Sequence, residues 1–285
     1  MREVPRLRIG QRPAKRSGLW PWPALVVHRG GGLLAPENTR AGFAESARRG
    51  YRAVETDVML ARDGVLMLSH DEVLGRTVAA VGRVSEMTSS ELIALDAGSA
   101  FDARFAGEPM MRFVDAYRFC RAHGLWMNIE IKPAKGADHE TALSLAWELE
   151  ALGREAKEES IEDSIDGKEG LGKPQAQWSL PLVSSFSRTA LAVFRAAAPV
   201  YPCGLLTEGH CPDAIEAACA LGCVSWHADV ESVRAEDVKR AHAQGLAVMV
   251  YTVDDAVCAR ALRDMEVDAL CTNRPDVVGA VVNEV

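Results

Sequence analysis

The stretch VVHRGGGLLAPENTRAGFAESARRGYRAVETDVML, residues 26–60, holds the pattern that decides the fold. It begins in a short apolar run at 24–28 and continues through a glycine-rich loop. An alanine-rich segment at 39–50 then ends in glycine, as helices often do, and a second apolar run follows at 53–60. Because a strand, a helix and a second strand in this order form a parallel pair with a crossover helix, the stretch predicts one βαβ unit.

The same alternation recurs along the rest of the chain. Further β-rich runs, separated by alanine-rich helical segments, lie at 126–132, 181–187, 203–207, 223–228, 247–253 and 268–273. Eight such units in 285 residues favour a closed (β/α)8 TIM barrel over an open sheet. The loop GGGLLAP lacks the GxGxxG spacing of dinucleotide-binding folds, which weakens that alternative.

Several segments depart from this alternation. Asp63-Gly64 is typical of a hairpin turn, so an extra strand is expected at 65–69, followed by a small insertion at 72–112 over one end of the barrel. The polar segment 153–177 is interpreted as a loop or a frayed helix end. A basic tail occupies residues 1–23, and the barrel is expected to span 24–285.

Composition excludes several classes of partner. The chain has a net charge of −8 and a pI near 5.5, so nucleic acid binding is not expected. No apolar run reaches the length of a membrane span, and the basic N-terminus lacks the apolar core of a secretory signal. The seven cysteines form no CxxC pair, which indicates a reducing compartment. We therefore expect a cytoplasmic protein without stable membrane insertion; the sequence predicts no oligomeric state.

Three carboxylates follow the strand pattern. Glu55 and Asp57 lie two apart on the second strand and share one face, and Glu130 lies on the third strand. Carboxylates gathered inside a barrel repel one another and are costly to desolvate, and a bound cation relieves both effects. An oxygen-rich ligand set suits Mg²⁺ or Ca²⁺ better than zinc. The three residues are therefore predicted to bind a divalent metal.

Cations and histidines lie at the same strand ends. Arg29 and Lys132 stand beside the predicted metal, an arrangement that suits a phosphate group. His28 and His70 titrate near neutral pH and are candidates for the general acid and base. A metal, two cations and a histidine pair together indicate phosphodiester cleavage. Each feature has a structural interpretation alone, since a buried histidine or an internal ion pair often serves packing; the combination favours catalysis.

These motifs resemble a known family. The segments HRGGGLLAPENT, ETDVMLARDGVLMLSHD, GRT, NIEIKP, SSF and YTVDD are similar to those of the glycerophosphodiester phosphodiesterases, most of all the bacterial cytoplasmic ones. The resemblance runs from about residue 24 to the C-terminus. It implies a TIM barrel with a small insertion, a divalent metal, and hydrolysis of small-molecule glycerophosphodiesters to glycerol 3-phosphate and an alcohol.

The resemblance also assigns residues. It implies that His28 and His70 are the acid–base pair, and that the three carboxylates named above bind the metal. Arg29 and Lys132 match the phosphate-binding cations, and Glu37 matches a polar residue close to the site, so we expect it to contact the substrate. Tyr251 stands where the family usually has an aromatic residue, often tryptophan, so its contact with the glycerol or the leaving group is expected to differ.

Other functions remain open at this point. A phosphodiesterase acting on lysophospholipids would need an apolar entrance, for which Trp20, Trp22 and the insertion at 72–112 are the candidates. A catalytically silent barrel that senses a phosphodiester is a second alternative, although no catalytic group is missing. A metal-dependent sugar isomerase or an aldolase using Lys132 is a third. The nucleophile is either water or the neighbouring glycerol hydroxyl.

Overall fold

Eight parallel strands close into a barrel in the computed structural model, which describes residues 18–165 and 180–282, with the side chains of 159–165 left out. The strands are β1 (Leu25–Val27), β2 (Ala53–Leu60), β3 (Leu66–Leu68), β4 (Trp126–Ile131), β5 (Leu182–Ser185), β6 (Cys203–Thr207), β7 (Ser225–Asp229), β8 (Ala247–Tyr251) and β9 (Ala269–Thr272). All except β3 belong to the barrel. It closes where β1 pairs with both β9 and β2, as in the register of Val27 with Val54. The predicted (β/α)8 fold is therefore confirmed.

Helices lie between the barrel strands. They are α1 (Arg40–Arg48), α2 (Ser89–Ile93), α3 (Phe113–Ala122), α4 (Asp138–Ile165), α5 (Arg188–Ala197), α6 (Ala214–Ala220), α7 (Ala235–Ala243), α8 (Ala256–Asp264) and α9 (Pro275–Val282). The first follows the PENT segment, and Thr39 caps it by accepting a hydrogen bond from the backbone N–H of Gly42. This cap fixes the point at which the first loop becomes helix.

The hairpin predicted after the second strand is present. Strand β3 runs antiparallel to β2, with Met59 opposite Met67, and thereby extends one side of the barrel. The segment that follows holds α2 and short 3-10 turns at Val84–Glu86 and Ala103–Phe105. Its apolar side chains form a small core of their own with the outer ends of β2 and β3. The insertion thus packs on β2, which carries Glu55 and Asp57, and on β3, which leads to His70.

Two kinds of apolar core follow from the alternation along each strand. Side chains that point outward from the barrel pack against the helices and form the largest cluster, with Phe43, Phe113 and Phe194 fully buried. Side chains that point inward form a smaller cluster, which includes Val26 and Met249. Inward positions near the C-terminal strand ends are instead polar, which is where catalytic residues of this fold lie.

Aromatic residues close the N-terminal end of the barrel. Trp20 and Trp22 pack against Trp126, the first residue of β4, with ring centroids 5.7 and 5.0 Å away. The end of the predicted basic tail is therefore part of the packed structure from residue 18, and residues 1–17 lie outside the described part. These tryptophans lie at the end of the barrel opposite the predicted site, so they cannot form an apolar entrance to it.

The polar segment predicted as a loop or a frayed helix end is helical in its first part. Helix α4 continues to Ile165, because its acidic and basic residues suit a solvated helix and no proline interrupts it. The rest of the predicted loop, 166–177, lies outside the described residues. Among the helices that are described, none is long and apolar enough to cross a membrane.

Candidate active site

Three carboxylates meet near the C-terminal ends of β2 and β4. Glu55 and Asp57 lie on β2, and the register places Asp57 beside Glu130 on β4. One oxygen from each of the three lies within 4.8 Å of the other two. Their residues are 4%, 1% and 8% exposed, respectively. The predicted metal ligands are therefore assembled as one buried cluster.

This cluster fits a divalent cation by its own chemistry. Its donors are all carboxylate oxygens, which hard cations such as Mg²⁺ and Ca²⁺ prefer. Glu55 Oε1 is buried and has no hydrogen-bond partner among the described residues. Buried polar atoms are usually paired, so an oxygen without a partner here is available as a ligand to a cation. We conclude that Glu55, Asp57 and Glu130 could together hold one metal ion.

The same burial shifts the titration of the three groups. Burial, together with the charges of Asp57 and Glu130, raises the pKa of Glu55 well above its ordinary value. Burial and Asp57 likewise raise the pKa of Glu130, to about 7. Burial alone would also raise the pKa of Asp57, but Lys132 and Arg29 outweigh it and lower that pKa. Without a cation, Asp57 is therefore the member of the cluster most firmly ionised.

Asn38 in the PENT segment holds the first loop against β2. Its Nδ2 donates to Asp57 Oδ2 at 2.8 Å, and its Oδ1 accepts a hydrogen bond from Thr56 Oγ1 at 2.7 Å. The backbone of Asn38 has φ of 54°, a left-handed conformation that asparagine tolerates better than most residues. This residue therefore orients a metal-site carboxylate from outside the strand.

His28 directly follows β1 and is fixed from the end of β9. Its Nδ1 lies 2.7 Å from Asn273 Oδ1, and Asn273 Nδ2 donates to Asp254 Oδ2 at 3.0 Å. Since the amide nitrogen faces Asp254, the amide oxygen faces the histidine, so Nδ1 carries the hydrogen. Nε2 then points toward Glu55, 3.8 Å from Oε2. Burial and the charge of Arg29 lower the pKa of His28, which favours the neutral imidazole.

His70 is oriented by the residue that follows it. Its Nδ1 lies 2.6 Å from Asp71 Oδ1, so an ionised Asp71 accepts a hydrogen bond from this nitrogen. Burial, assisted by the charges of Lys132 and Arg29, outweighs the opposing effect of Asp57 and lowers the pKa of His70. Both predicted histidines thus have Nδ1 engaged, which leaves Nε2 of each available for proton transfer.

Arg29 contacts the cluster through backbone and side chain. Its backbone N–H donates to Glu55 Oε2 at 2.8 Å, and its Nε lies 3.8 Å from Asp57 Oδ2. Its Nη1 is 3.1 Å from both oxygens of Glu37. Glu37 also receives two hydrogen bonds from Arg76, of 2.7 and 2.9 Å. Glu37, predicted to contact the substrate, is therefore engaged by two guanidinium groups.

Lys132 lies between the carboxylates and two aromatic side chains, Phe186 and Tyr251. Its Nζ is 3.4 Å from Glu130 Oε1 and 6.0 Å from the centre of the Phe186 ring. The Phe186 ring packs edge-on against Tyr251, at 6.0 Å between centroids. The hydroxyl of Tyr251 donates to the Thr207 carbonyl at 2.8 Å, so its ring, rather than its hydroxyl, is the group free to contact a ligand.

The glycines after Arg29 are required by close packing. Gly30 and Gly32 both have positive φ, of 77° and 56°. A Cβ at Gly30 would lie 2.5 Å from the ring of Phe43, and a Cβ at Gly32 would lie 2.4 Å from the carbonyl oxygen of Asn273. The loop thus packs closely against α1 and against Asn273, the residue that holds His28.

Comparison with known proteins identifies this arrangement. The sequence model of the glycerophosphoryl diester phosphodiesterase family matches residues 28–277. The chain belongs to this family. A glycerophosphodiester phosphodiesterase of Caldanaerobacter subterraneus subsp. tengcongensis is 28% identical over 260 residues, which cover 89% of this chain and 95% of that protein. Membership confirms the predicted class of enzyme, a hydrolase of phosphodiesters.

Solved structures support the same assignment. A phosphodiesterase from Oleispira antarctica, in complex with the product sn-glycerol-3-phosphate, is 26% identical, with a TM-score of 0.80 over 92% of this chain and 98% of that one. A glycerophosphodiester phosphodiesterase from Agrobacterium tumefaciens is also 26% identical, with a TM-score of 0.71 over 91% and 100% of the two chains. The fold of this chain thus matches those of both proteins over nearly their full length.

The sequence patterns located the residues predicted to bind the metal, bind the phosphate or transfer protons, but not the residues that orient them. The residues missed are Asn38, Asp71, Arg76, Asp254 and Asn273. The first four lie inside the PENT, HD, GRT and YTVDD segments that carry the family resemblance, so the signal was present as motif membership. The hydrogen bonds of Asn38 and Asn273, and that of Arg76 with Glu37, join segments distant in sequence. The contact of Asp71 with the adjacent His70 depends on side-chain direction, so no spacing rule reveals any of these roles.

Proposed function

We propose that the protein hydrolyses glycerophosphodiesters to glycerol 3-phosphate and an alcohol, with Glu55, Asp57 and Glu130 holding Mg²⁺ or Ca²⁺. The observation that carries this proposal is the buried carboxylate cluster, with an unpartnered Glu55 oxygen, flanked by two histidines with Nε2 available. A bound divalent ion would stabilise the negative charge that develops on the phosphoryl oxygens.

The cations beside the cluster are proposed to bind the phosphate. Arg29 and Lys132 each contact Asp57 at the edge of the cluster, at 3.8 and 3.7 Å, and each retains N–H donors for a phosphate oxygen. Tyr251 and Phe186 are proposed to contact the glycerol or the departing alcohol through their ring faces. Glu37 is proposed to hold Arg29 in place, because an ionised carboxylate repels a phosphate.

The histidines are proposed to carry the protons. A phosphorus–oxygen bond to the nucleophile forms as the bond to the alcohol oxygen breaks. One of His28 and His70, in its neutral form, accepts the proton of the nucleophile on Nε2. The other starts as the imidazolium, protonated on both nitrogens, and donates its Nε2 proton to the departing alkoxide oxygen. The nucleophile is water or the adjacent glycerol hydroxyl; the second would produce a cyclic phosphate, which ³¹P NMR early in the reaction would detect.

The test is a substrate panel with the histidine variants. Purified protein with Mg²⁺ or Ca²⁺ is assayed on glycerophosphocholine, glycerophosphoethanolamine, glycerophosphoglycerol and lysophosphatidylcholine. We expect glycerol 3-phosphate from the first three, and a loss of about 10²- to 10⁴-fold in kcat in His28→Ala and His70→Ala. Wild-type turnover in both variants would exclude the proposed roles, and cleavage of lysophosphatidylcholine alone would favour the lysophospholipid alternative.

A further inference from the structure

Arg76, in the insertion, bridges two carboxylates beside the site. Its Nε donates to Asp71 Oδ2 at 2.5 Å, while Nη1 and Nη2 donate to the two oxygens of Glu37 at 2.9 and 2.7 Å. The side chain is 49% exposed, and an isolated ion pair at such a position usually contributes little. The planar guanidinium of Arg76, however, contacts the two carboxylates through separate N–H donors and so fixes their relative position. The single ammonium group of a lysine could not do the same.

The first arm of Arg76, as we call its contact with Asp71, leads to His70. Asp71 accepts from His70 Nδ1 through Oδ1 and from Arg76 through Oδ2, so both carboxylate oxygens are fixed. Burial alone would raise the pKa of Asp71, but the hydrogen bonds from Arg76 and His70 lower it and keep the group ionised. An ionised, immobile acceptor holds the hydrogen on Nδ1, which leaves the lone pair of neutral His70 on Nε2.

The second arm of Arg76, its contact with Glu37, leads to Arg29. Glu37 accepts from Arg29 Nη1 at 3.1 Å and from two nitrogens of Arg76 at shorter distances. Arg76 therefore competes with Arg29 for the charge of this carboxylate. Without Arg76, Glu37 would pair with Arg29 alone and neutralise more of the charge that attracts a phosphate.

Among the described residues of the insertion, no other arginine or lysine contacts both Asp71 and Glu37. Arg83 has a similar exposed fraction, 46%, and its Nη1 also forms an ion pair, at 3.1 Å from Glu72. It contacts neither Asp71 nor Glu37. The two arginines thus differ in their partners while sharing their setting, which makes Arg83 a matched control.

We propose that Arg76 is a positioning residue that sets the His70 tautomer through Asp71 and preserves the phosphate-binding charge of Arg29 through Glu37. The inference rests on the proposed roles of His70 and Arg29. It gives the insertion a function, since this segment then ties the proton-transfer group at one strand end to the phosphate-binding group at another.

Kinetics of Arg76→Gln and Arg83→Gln test the proposal first. Arg76→Gln should lower kcat by about 10- to 100-fold, the loss typical when an outer hydrogen-bond partner of a functional histidine is removed, and should also raise KM. Arg76→Lys should recover only part of either effect, because one ammonium cannot span both carboxylates. Arg83→Gln should keep wild-type kcat and KM. Equal values for both glutamine variants would overturn the proposal.

The tautomer of His70 is a readout that does not require turnover. In ¹⁵N NMR spectra of the labelled protein, assigned with His70→Gln, the wild type should show hydrogen on Nδ1. Arg76→Gln should shift His70 toward the Nε2–H form that free histidine favours in water, while Arg83→Gln should not. An unchanged tautomer in Arg76→Gln would overturn the first arm of the proposal.

A double variant isolates the second arm. In a Glu37→Gln background, Arg29 has no carboxylate at this position to neutralise it, so adding Arg76→Gln should no longer raise KM. A KM increase of the same size in both backgrounds would instead indicate direct contact between Arg76 and substrate, and would overturn this arm. If wild-type protein hydrolyses no glycerophosphodiester, the proposed function fails, while the NMR result still decides whether Arg76 orients His70.

Discussion

Both histidines of the site are held by a second residue whose own partners fix its direction. Asn273 orients His28, and Asp254 in turn orients Asn273, accepting from its backbone N–H at 2.7 Å and from its Nδ2 at 3.0 Å. Such outer partners decide which histidine nitrogen is available, as in other catalytic sites. The chemistry of single residues here therefore depends on contacts between loops.

Two adjacent aspartates allow this dependence to be measured. Asp254→Ala should release Asn273 and lower kcat by about 10-fold or more, because His28 loses its fixed orientation. Asp255 instead caps α8 through the N–H groups of Val257 and Cys258. Asp255→Ala should cost about 1 kcal/mol of unfolding free energy and leave kcat unchanged. Steady-state kinetics and thermal unfolding of both variants check this, and equal kcat losses would contradict it.

The buried carboxylates predict how the stability of metal-free protein varies with pH. The pKa of Glu130 is about 7 in the fold against 4.5 in the unfolded chain, so the folded state binds more protons between these values. The contribution of Glu130 to stability is therefore complete below pH 4.5 and is lost as pH rises through 7. Denaturant unfolding in EDTA should show this loss, and Glu130→Gln should remove it. A wild-type curve with the same slope as the variant would contradict the assignment.

At the scale of elements, strands and helices followed their sequence patterns closely, whereas loops did not. Strand β2 occupies the residues predicted for it, 53–60, because its alternation of inward carboxylates and outward apolar residues is unambiguous. The polar segment after residue 153 left two interpretations open, a loop or a frayed helix end, and it is helical to Ile165. The sequence could not decide between them because polarity on all sides does not distinguish a solvated helix from a loop. The bridges from Arg76 and Asn273 join loops far apart in sequence, and local patterns carry no information about them.

The first loop yields a prediction at this scale. Ala at Gly32 would place its Cβ 2.4 Å from the Asn273 carbonyl, whereas Ala at Gly50, which also has positive φ, meets no atom within 4 Å. Both variants should lose about 1 kcal/mol or more through the left-handed backbone. Gly32→Ala alone should displace Asn273 and lower kcat as well. Thermal unfolding with kinetics at a temperature where both variants are folded checks this, and unaltered kcat in Gly32→Ala would contradict it.

Over the whole molecule, the two ends of the barrel differ in composition: one is closed by packed aromatic residues, and the other holds the candidate site. Tryptophans close the N-terminal end, and the C-terminal end gathers carboxylates, histidines and cations from β1, β2, β4 and the hairpin of β3. Membership of the glycerophosphoryl diester phosphodiesterase family agrees with this division. The sequence was sufficient to predict the barrel and the charged groups because both depend on strand periodicity and order. The identity of the metal and the departing alcohol depends on geometry at the mouth of the barrel.

The most direct test of the central claim couples catalysis to the carboxylate cluster. Release of glycerol 3-phosphate from glycerophosphocholine is measured while Mg²⁺ or Ca²⁺ is titrated into EDTA-treated wild-type protein and into Glu55→Gln. We predict no turnover without metal, and recovery of turnover that follows metal binding measured by calorimetry. The variant should need a much higher metal concentration for half-maximal activity, because Glu55 supplies the oxygen that has no partner among the described residues. Full turnover in EDTA, or half-maximal activity at the same metal concentration in the two proteins, would contradict the assignment of this cluster as the metal centre.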